Sequence, residues 1–114
     1  NVERLYENSF RMMSLQHFFD NKLGGSLHGT SGAGLTEFGR QAIDEMQRLD
    51  IIIDVSHSSE NVVKDVLSIS NQPLVISHTG FNGYCKSHLG QVEKVVLLGH
   101  LQVVVHLEHL EVVE

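Results

Sequence analysis

Two histidines in this 114-residue chain each close a short apolar run: Ile51-Ile52-Ile53-Asp54-Val55-Ser56-His57 and Pro73-Leu74-Val75-Ile76-Ser77-His78. One helix-length segment separates them. This is the pattern of a βαβ unit with an imidazole at the carboxyl end of each of two strands, where parallel α/β folds place their chemistry. Two imidazoles at adjacent strand ends can converge on one metal ion, and zinc suits them. A single histidine in such a position is more often a hydrogen-bonded structural residue; a pair at the same end of neighbouring strands shifts the balance towards a site. Two ligands do not complete one, since a catalytic zinc usually has three protein ligands and an open position. His17, at the end of a third run (Arg11-Met12-Met13-Ser14-Leu15), is a candidate further ligand or a group that polarises a substrate.

The remaining polar residues carry less. Asp54 lies inside an apolar run; it is expected to face the helix layer and bond there, the alternative being a carboxylate that orients a ligand histidine. Asp20 and His28 flank or lie in a glycine-rich stretch, and His28 reads as a solvated loop residue. Cys85 has no histidine placed to make it a nucleophile and reads as a passive thiol. His88, His100, His106 and His109 belong to an unusual C-terminal stretch and read as incidental, although a histidine-rich tail can bind metal weakly.

The elements that must position these residues follow from periodicity. Residues 11–15 read as a short strand. Residues 23–34 hold Gly24, Gly25, Gly29, Gly32 and Gly34 and form a loop, and a long loop inside a compact domain is often functional. Thr36 reads as an N-cap with Glu37 in the first turn. Leu35, Phe38, Ala42, Met46 and Leu49 then recur at helical steps. Residues 51–55 read as a strand buried on both faces. Ser58 or Ser59 caps the next helix, Val62, Val63, Val66 and Leu67 form its apolar stripe, Asn71 ends it and Pro73 prevents its continuation. Residues 74–76 are the next strand. The order β-loop-α-β-α-β implies a parallel sheet. Beyond Ser87 the composition turns to Val, Leu, His and Glu; Leu101, Val103, Val105 and Leu107 alternate as a strand does, and the segment before them reads as a helix.

Composition sets the bounds. The chain is 41% hydrophobic, as suits a globular domain, and its net charge of −6 with no basic patch argues against a nucleic-acid partner. Eight histidines make metal chemistry worth testing. A single cysteine allows no intrachain disulfide and fits a reducing compartment, which favours the cytoplasm. No stretch is long enough to span a bilayer, and no signal peptide is visible.

Several motifs follow one another in an order that resembles the membrane (renal) dipeptidase family of zinc metallopeptidases, especially its bacterial members. They are Arg11-Met-Met-Ser-Leu-Gln-His-Phe-Phe-Asp-Asn21, Gly24-Gly-Ser-Leu-His-Gly29, Gly34-Leu-Thr-Glu-Phe-Gly-Arg40, Ile53-Asp-Val-Ser-His57 and Ile76-Ser-His78. The resemblance covers about residues 5–85. It implies a (β/α)8 TIM barrel of which this chain supplies about three βα units, residues 1–87, with residues 88–114 a divergent tail. It implies two zinc ions per site in the complete fold, with His57 and His78 ligands of one of them. His17 matches the family histidine that contacts the substrate and stabilises the tetrahedral intermediate. The implied reaction is hydrolysis of a dipeptide by a hydroxide bridging two metals.

The departures from that pattern are specific. The family's early His-x-Asp motif and its bridging glutamate are absent, and a late aspartate assigned to proton transfer lies beyond this chain. Where the family carries an Arg-Asn pair, this chain reads Ser87-His88-Leu89-Gly90. The expectation is therefore an internal fragment or frameshifted product of a dipeptidase, inactive by itself and prone to self-association through unpaired sheet edges, with the tail supplying a substitute strand or helix. The alternatives are a non-enzymatic metal-binding or remnant module, and a different metal hydrolase of the amidohydrolase type.

Overall fold

The computed structural model describes residues 2–78 and the backbone of Val95–Leu97; Cys85, the tail histidines and the alternation at residues 101–107 lie outside the described residues. In chain order the elements are α1 (Val2–Glu7), β1 (Met12–Ser14), α2 (Glu37–Arg48), β2 (Ile52–Asp54), α3 (Glu60–Ile69), β3 (Leu74–Ile76) and β4 (Val95–Leu97). The strands form one sheet in the order β1-β2-β3-β4, and every pairing is parallel. The α/β expectation holds for the described residues: α2 links β1 to β2 and α3 links β2 to β3, as parallel neighbours require a crossover.

Side chains alternate across a strand, and the two faces of this sheet differ. On one, Leu15, Ile53, Val55, Leu74 and Ile76 pack with Ile43 and Met46 of α2 and Val62 and Val66 of α3 into a continuous core. On the other, the register partners Met12 and Ile52 are 43% and 44% exposed. Of residues 51–55 Ile52 alone is exposed; Asp54, two residues on and on the same face, is 2% exposed, so the expectation of a strand buried on both faces holds except at Ile52.

The helices begin where their caps predict. Thr36 Oγ1 accepts from Gly39 N at 3.0 Å and donates to Lys22 O at 2.6 Å, so the α2 cap also grips the preceding loop. The buried side of α2 is Gly39, Ile43 and Met46, while Phe38 is 58% exposed. The rotation from the expected stripe has a steric reason: a Cβ on Gly39 would collide with the Leu23 carbonyl oxygen, so the helix turns its glycine towards the loop. In α3, Ser59 is the cap, accepting from Val62 N at 3.1 Å, and the helix closes at Ser70, one residue before Asn71. Two elements depart from the sequence reading. Helix α1 was not foreseen; Val2 and Tyr6, four residues apart, lean on the core. Strand β4 falls in the segment read as a helix: the β-branched Val95 and Val96 pair with Leu74 and Val75, extending the sheet past the fully buried β3.

Between β1 and α2 the chain makes a loop that is folded on itself and stitched to the start of α3. Gly24 bridges Leu35, and Ser26 bridges Ser58. Ser59 Oγ donates to Ala33 O at 2.6 Å, Asn61 Nδ2 to Gly32 O at 2.7 Å, and Leu35 N to Asp65 Oδ2 at 2.8 Å. Asp20 organises the tip. Its carboxylate accepts from the backbone N–H of Ser26 at 2.8 Å, Thr30 at 3.2 Å and Ser31 at 3.1 Å, and fills the space where a side chain on Gly29 would stand. These backbone donors, that of Ser26 first, hold the Asp20 carboxyl below its ordinary range. At the end of β2 the backbone enters the left-handed region at His57, with φ of 61°. The conformation is held by the loop, since Leu27 N donates to His57 O at 2.8 Å.

Three outcomes follow from this scaffold. Ser59→Ala removes a cap and a loop bond together, and should destabilise the chain by about 1–2 kcal/mol in urea unfolding. Because the folded-state carboxyl of Asp20 titrates lower than in the unfolded chain, its contribution is complete above the ordinary value of 3.8 and is lost as the pH falls below it. Hydrogen exchange at Ser26, Thr30 and Ser31 should accelerate in that window, and Asp20→Ala should produce the same acceleration at neutral pH. Finally, His57→Gly should be more stable than His57→Ala by about 1 kcal/mol, because only glycine enters the left-handed region without strain; equal unfolding midpoints would show that the position carries no strain.

Candidate functional site

His17 follows β1 by three residues, His57 follows β2 by three, and His78 follows β3 by two, so all three stand at the carboxyl end of the sheet. The structure brings them together. His57 Nε2 and His78 Nε2 are 2.9 Å apart. The His17 ring meets His57 edge-on, with centroids 4.8 Å apart and planes at 83°, and the His57 and His78 centroids are also 4.8 Å apart. Two residues from the loop join them. His28, read from the sequence as a solvated loop residue, is exposed but places its ring 5.7 Å from His57. Phe18 lies 4.2 Å from His17, 5.4 Å from His57 and 5.7 Å from His28. His57, half-buried, is thus the centre of a cluster whose other members are exposed and can be reached from solvent.

Nothing in the local sequence marks His28 for this place. It arrives because the loop doubles back. Ser26 is the clip: its hydroxyl lies 2.5 Å from the carbonyl of His17 and 3.2 Å from that of His57, bridging the ends of β1 and β2. The N–H of His28 donates to the same hydroxyl at 3.3 Å.

The electrostatics favour a neutral centre. Burial, followed by the neighbouring imidazoles of His78, His17 and His28, pushes the His57 pKa below its ordinary value. His57 is therefore uncharged at neutral pH, the state in which imidazole ligates a metal.

Asp54 does not face the helix layer. It lies on the opposite face, where it joins the ends of three strands. Oδ2 accepts from Ser14 Oγ at 2.9 Å and from Ser77 Oγ at 2.5 Å, and Oδ1 accepts from the N–H of Ser56 at 2.9 Å and of Ser77 at 3.3 Å. Burial alone would raise its pKa; the bonds from Ser77, Ser56 and Ser14 outweigh burial and leave it lowered. Ser77 Oγ also stands 2.6 Å from His78 Nδ1. The carboxylate is thereby connected to a candidate ligand through one hydroxyl, closer to the alternative reading of Asp54 than to the one the sequence favoured.

Whether this cluster fits a metal can be tested on its donors. Two imidazole nitrogens bonded to one zinc ion at about 2.0–2.1 Å each can be no more than about 4.2 Å apart. The His57–His78 separation satisfies that limit. Among the described residues, however, no group of three or more His, Cys, Asp or Glu side chains is arranged to hold a metal ion. The pair fits as part of a metal centre, and the described residues do not complete one.

Comparison with known proteins gives the chain's family. A stretch of 69 residues is 36% identical to Dipeptidase 3 of Mus musculus, 35% identical to that of Rattus norvegicus and 32% identical to that of Homo sapiens. In each case the stretch is 60% of this chain and 14% of the relative, so the chain spans a small part of the length of the relatives it matches. The sequence model of the membrane dipeptidase family, peptidase family M19, matches residues 1–97, which takes in every described element from α1 to β4. A match over most of the chain places it in that family: it is a member of the membrane dipeptidases.

Proposed function

We propose that this chain is a section of a zinc-dependent dipeptidase, and that His57 and His78 hold one zinc ion at the mouth of a (β/α)8 barrel. The observation that carries the reading is the 2.9 Å approach of two imidazole nitrogens at the ends of adjacent parallel strands, in a chain of this family. The described strands run side by side in one direction, as successive strands of such a barrel do. The remaining ligands, the early His-x-Asp and the bridging glutamate that the family resemblance implies, belong to other parts of the full-length protein.

When bound, zinc supplies Lewis-acid polarisation of a carbonyl and lowers the pKa of water. The chain's own residues account for the rest. His17 stands edge-on to His57, within reach of a group held at the His57–His78 pair. From there it can donate a hydrogen bond to a carbonyl oxygen as negative charge develops on it. Phe18 and His28 wall the site on the loop side, displacing water and offering a face to a substrate side chain. A dipeptide is small enough to be held between such a cluster and the rest of the barrel. The described residues supply part of one metal subsite, and the expected outcome for the 114-residue chain alone is no peptidase activity.

The test uses the purified chain. Calorimetric titration with zinc should show weak binding that is lost in the His57→Ala, His78→Ala double variant and kept when His88, His100, His106 and His109 are changed together. Affinity that survives the double variant but disappears with the tail histidines would move the metal site to the tail. No dipeptide should be hydrolysed by the zinc-loaded chain, and measurable turnover would show that it is complete enough to act alone.

A further inference from the structure

The hydrogen-bond network around Ser77 assigns the tautomer of His78. A serine hydroxyl has one hydrogen and two lone pairs, and an ionised carboxylate only accepts. Asp54 receives three bonds independent of the Ser77 hydroxyl, from Ser14 Oγ and the N–H groups of Ser56 and Ser77, and such donors favour the ionised carboxylate, whose remaining position can only accept. The single hydrogen of Ser77 Oγ therefore points to Asp54 Oδ2, 2.5 Å away.

The two lone pairs of Ser77 Oγ must then be met by donors, and two are in place. Ser56 Oγ, 3.2 Å away, itself accepts from Ser77 N at 2.9 Å and His78 N at 3.2 Å, so its own hydrogen is available for Ser77 Oγ. The other neighbour is His78 Nδ1 at 2.6 Å, which can only be the protonated ring nitrogen. Every donor and acceptor of Asp54, Ser56 and Ser77 side chains is accounted for in this assignment. In the reverse one, Ser77 donates to His78 and leaves its lone pair facing the Asp54 carboxylate at 2.5 Å.

We infer that Asp54 and Ser77 are positioning residues: they fix His78 as the Nδ1–H tautomer and turn the lone pair of its Nε2 towards His57. A neutral imidazole in water prefers the opposite tautomer, with the hydrogen on Nε2, which cannot ligate through that atom. The relay thus prepares the nitrogen that stands 2.9 Å from His57 Nε2, and in the absence of an ion His57 Nε2 supplies the hydrogen between the two rings. Its consequence for metal binding rests on the zinc reading proposed above; the tautomer itself does not. Outer partners of this kind typically change metal affinity by about 10–100-fold when removed.

Long-range nitrogen–proton correlation spectra of the full 114-residue chain, at a pH where histidine is neutral, read the tautomer directly. The His78 Nδ1 resonance should be of the protonated type and Nε2 of the lone-pair type. Ser77→Ala should shift His78 towards the Nε2–H form and weaken zinc binding on the order of 10–100-fold, while Ser77→Thr, which keeps the hydroxyl, should retain both properties. A wild-type His78 with its hydrogen on Nε2 overturns the inference without any variant, and so does a Ser77→Ala chain that is folded but has an unchanged tautomer. If the tautomer follows Ser77 as stated but no variant, nor the wild type, binds zinc, the relay stands and the zinc reading falls.

Discussion

The buried carboxylate of Asp54 is the constraint on which the working end of this chain depends. Three strands end within reach of it, and it takes one hydroxyl from β1 and a backbone N–H or hydroxyl from the segments after β2 and β3. An ionised group in that position would be costly if unpaired. Here each lone pair has a donor, and the group titrates below its ordinary range in spite of burial. Satisfying the charge and aligning the strand ends are the same act: if Ser14, Ser56 and Ser77 were displaced far enough to break these bonds, the carboxylate would be left uncompensated and the histidines beyond them would lose their relative positions.

A second brace works from outside the sheet. The glycine-rich loop carries Phe18 and His28 and has few apolar side chains of its own to bury. It holds its shape through polar bonds instead, with Asp20 gathering three of its N–H groups and Ser59, Asn61 and Asp65 tying it to α3. Its glycines serve close approach: at Gly29 the Asp20 carboxylate occupies the space of the missing side chain. The loop in turn holds His57 in a left-handed conformation through the bond from Leu27 to the His57 carbonyl. Backbone strain of this type persists where surrounding structure over-determines it, and commonly at functional sites. Rigid strands set the spacing of His17, His57 and His78, and the loop sets what surrounds them.

The two faces of the sheet divide the labour. The helix side is a continuous aliphatic core, which supplies the stability. The opposite side begins with exposed Met12 and Ile52 and ends with the serines around Asp54. Among the described residues the exposed apolar side chains of that face are confined to its start, and Asp54 and its register partner Val75 are buried.

Local chemistry was enough to read much of this from the sequence. Short runs with three or four β-branched and aliphatic residues, a capping Thr or Ser before each helical period, and Pro73 after the second one mark β2, α2, α3 and β3, because strand and helix periodicities are properties of short segments. The placement of His57 and His78 just past two such runs followed directly, since parallel neighbours put their ends side by side. What the sequence left open depends on contacts between distant residues. Phe38 turns outward because Leu23, fifteen residues away, presses on Gly39. His28 reaches the cluster because Ser26 clips the loop to His17 and His57. Asp54 faces away from the helices and reaches His78 through Ser77, twenty-three residues on. None of these can be read from spacing, because a side chain's face and a hydroxyl's partner are decided only when the strands are assembled and each buried polar group has found its donor.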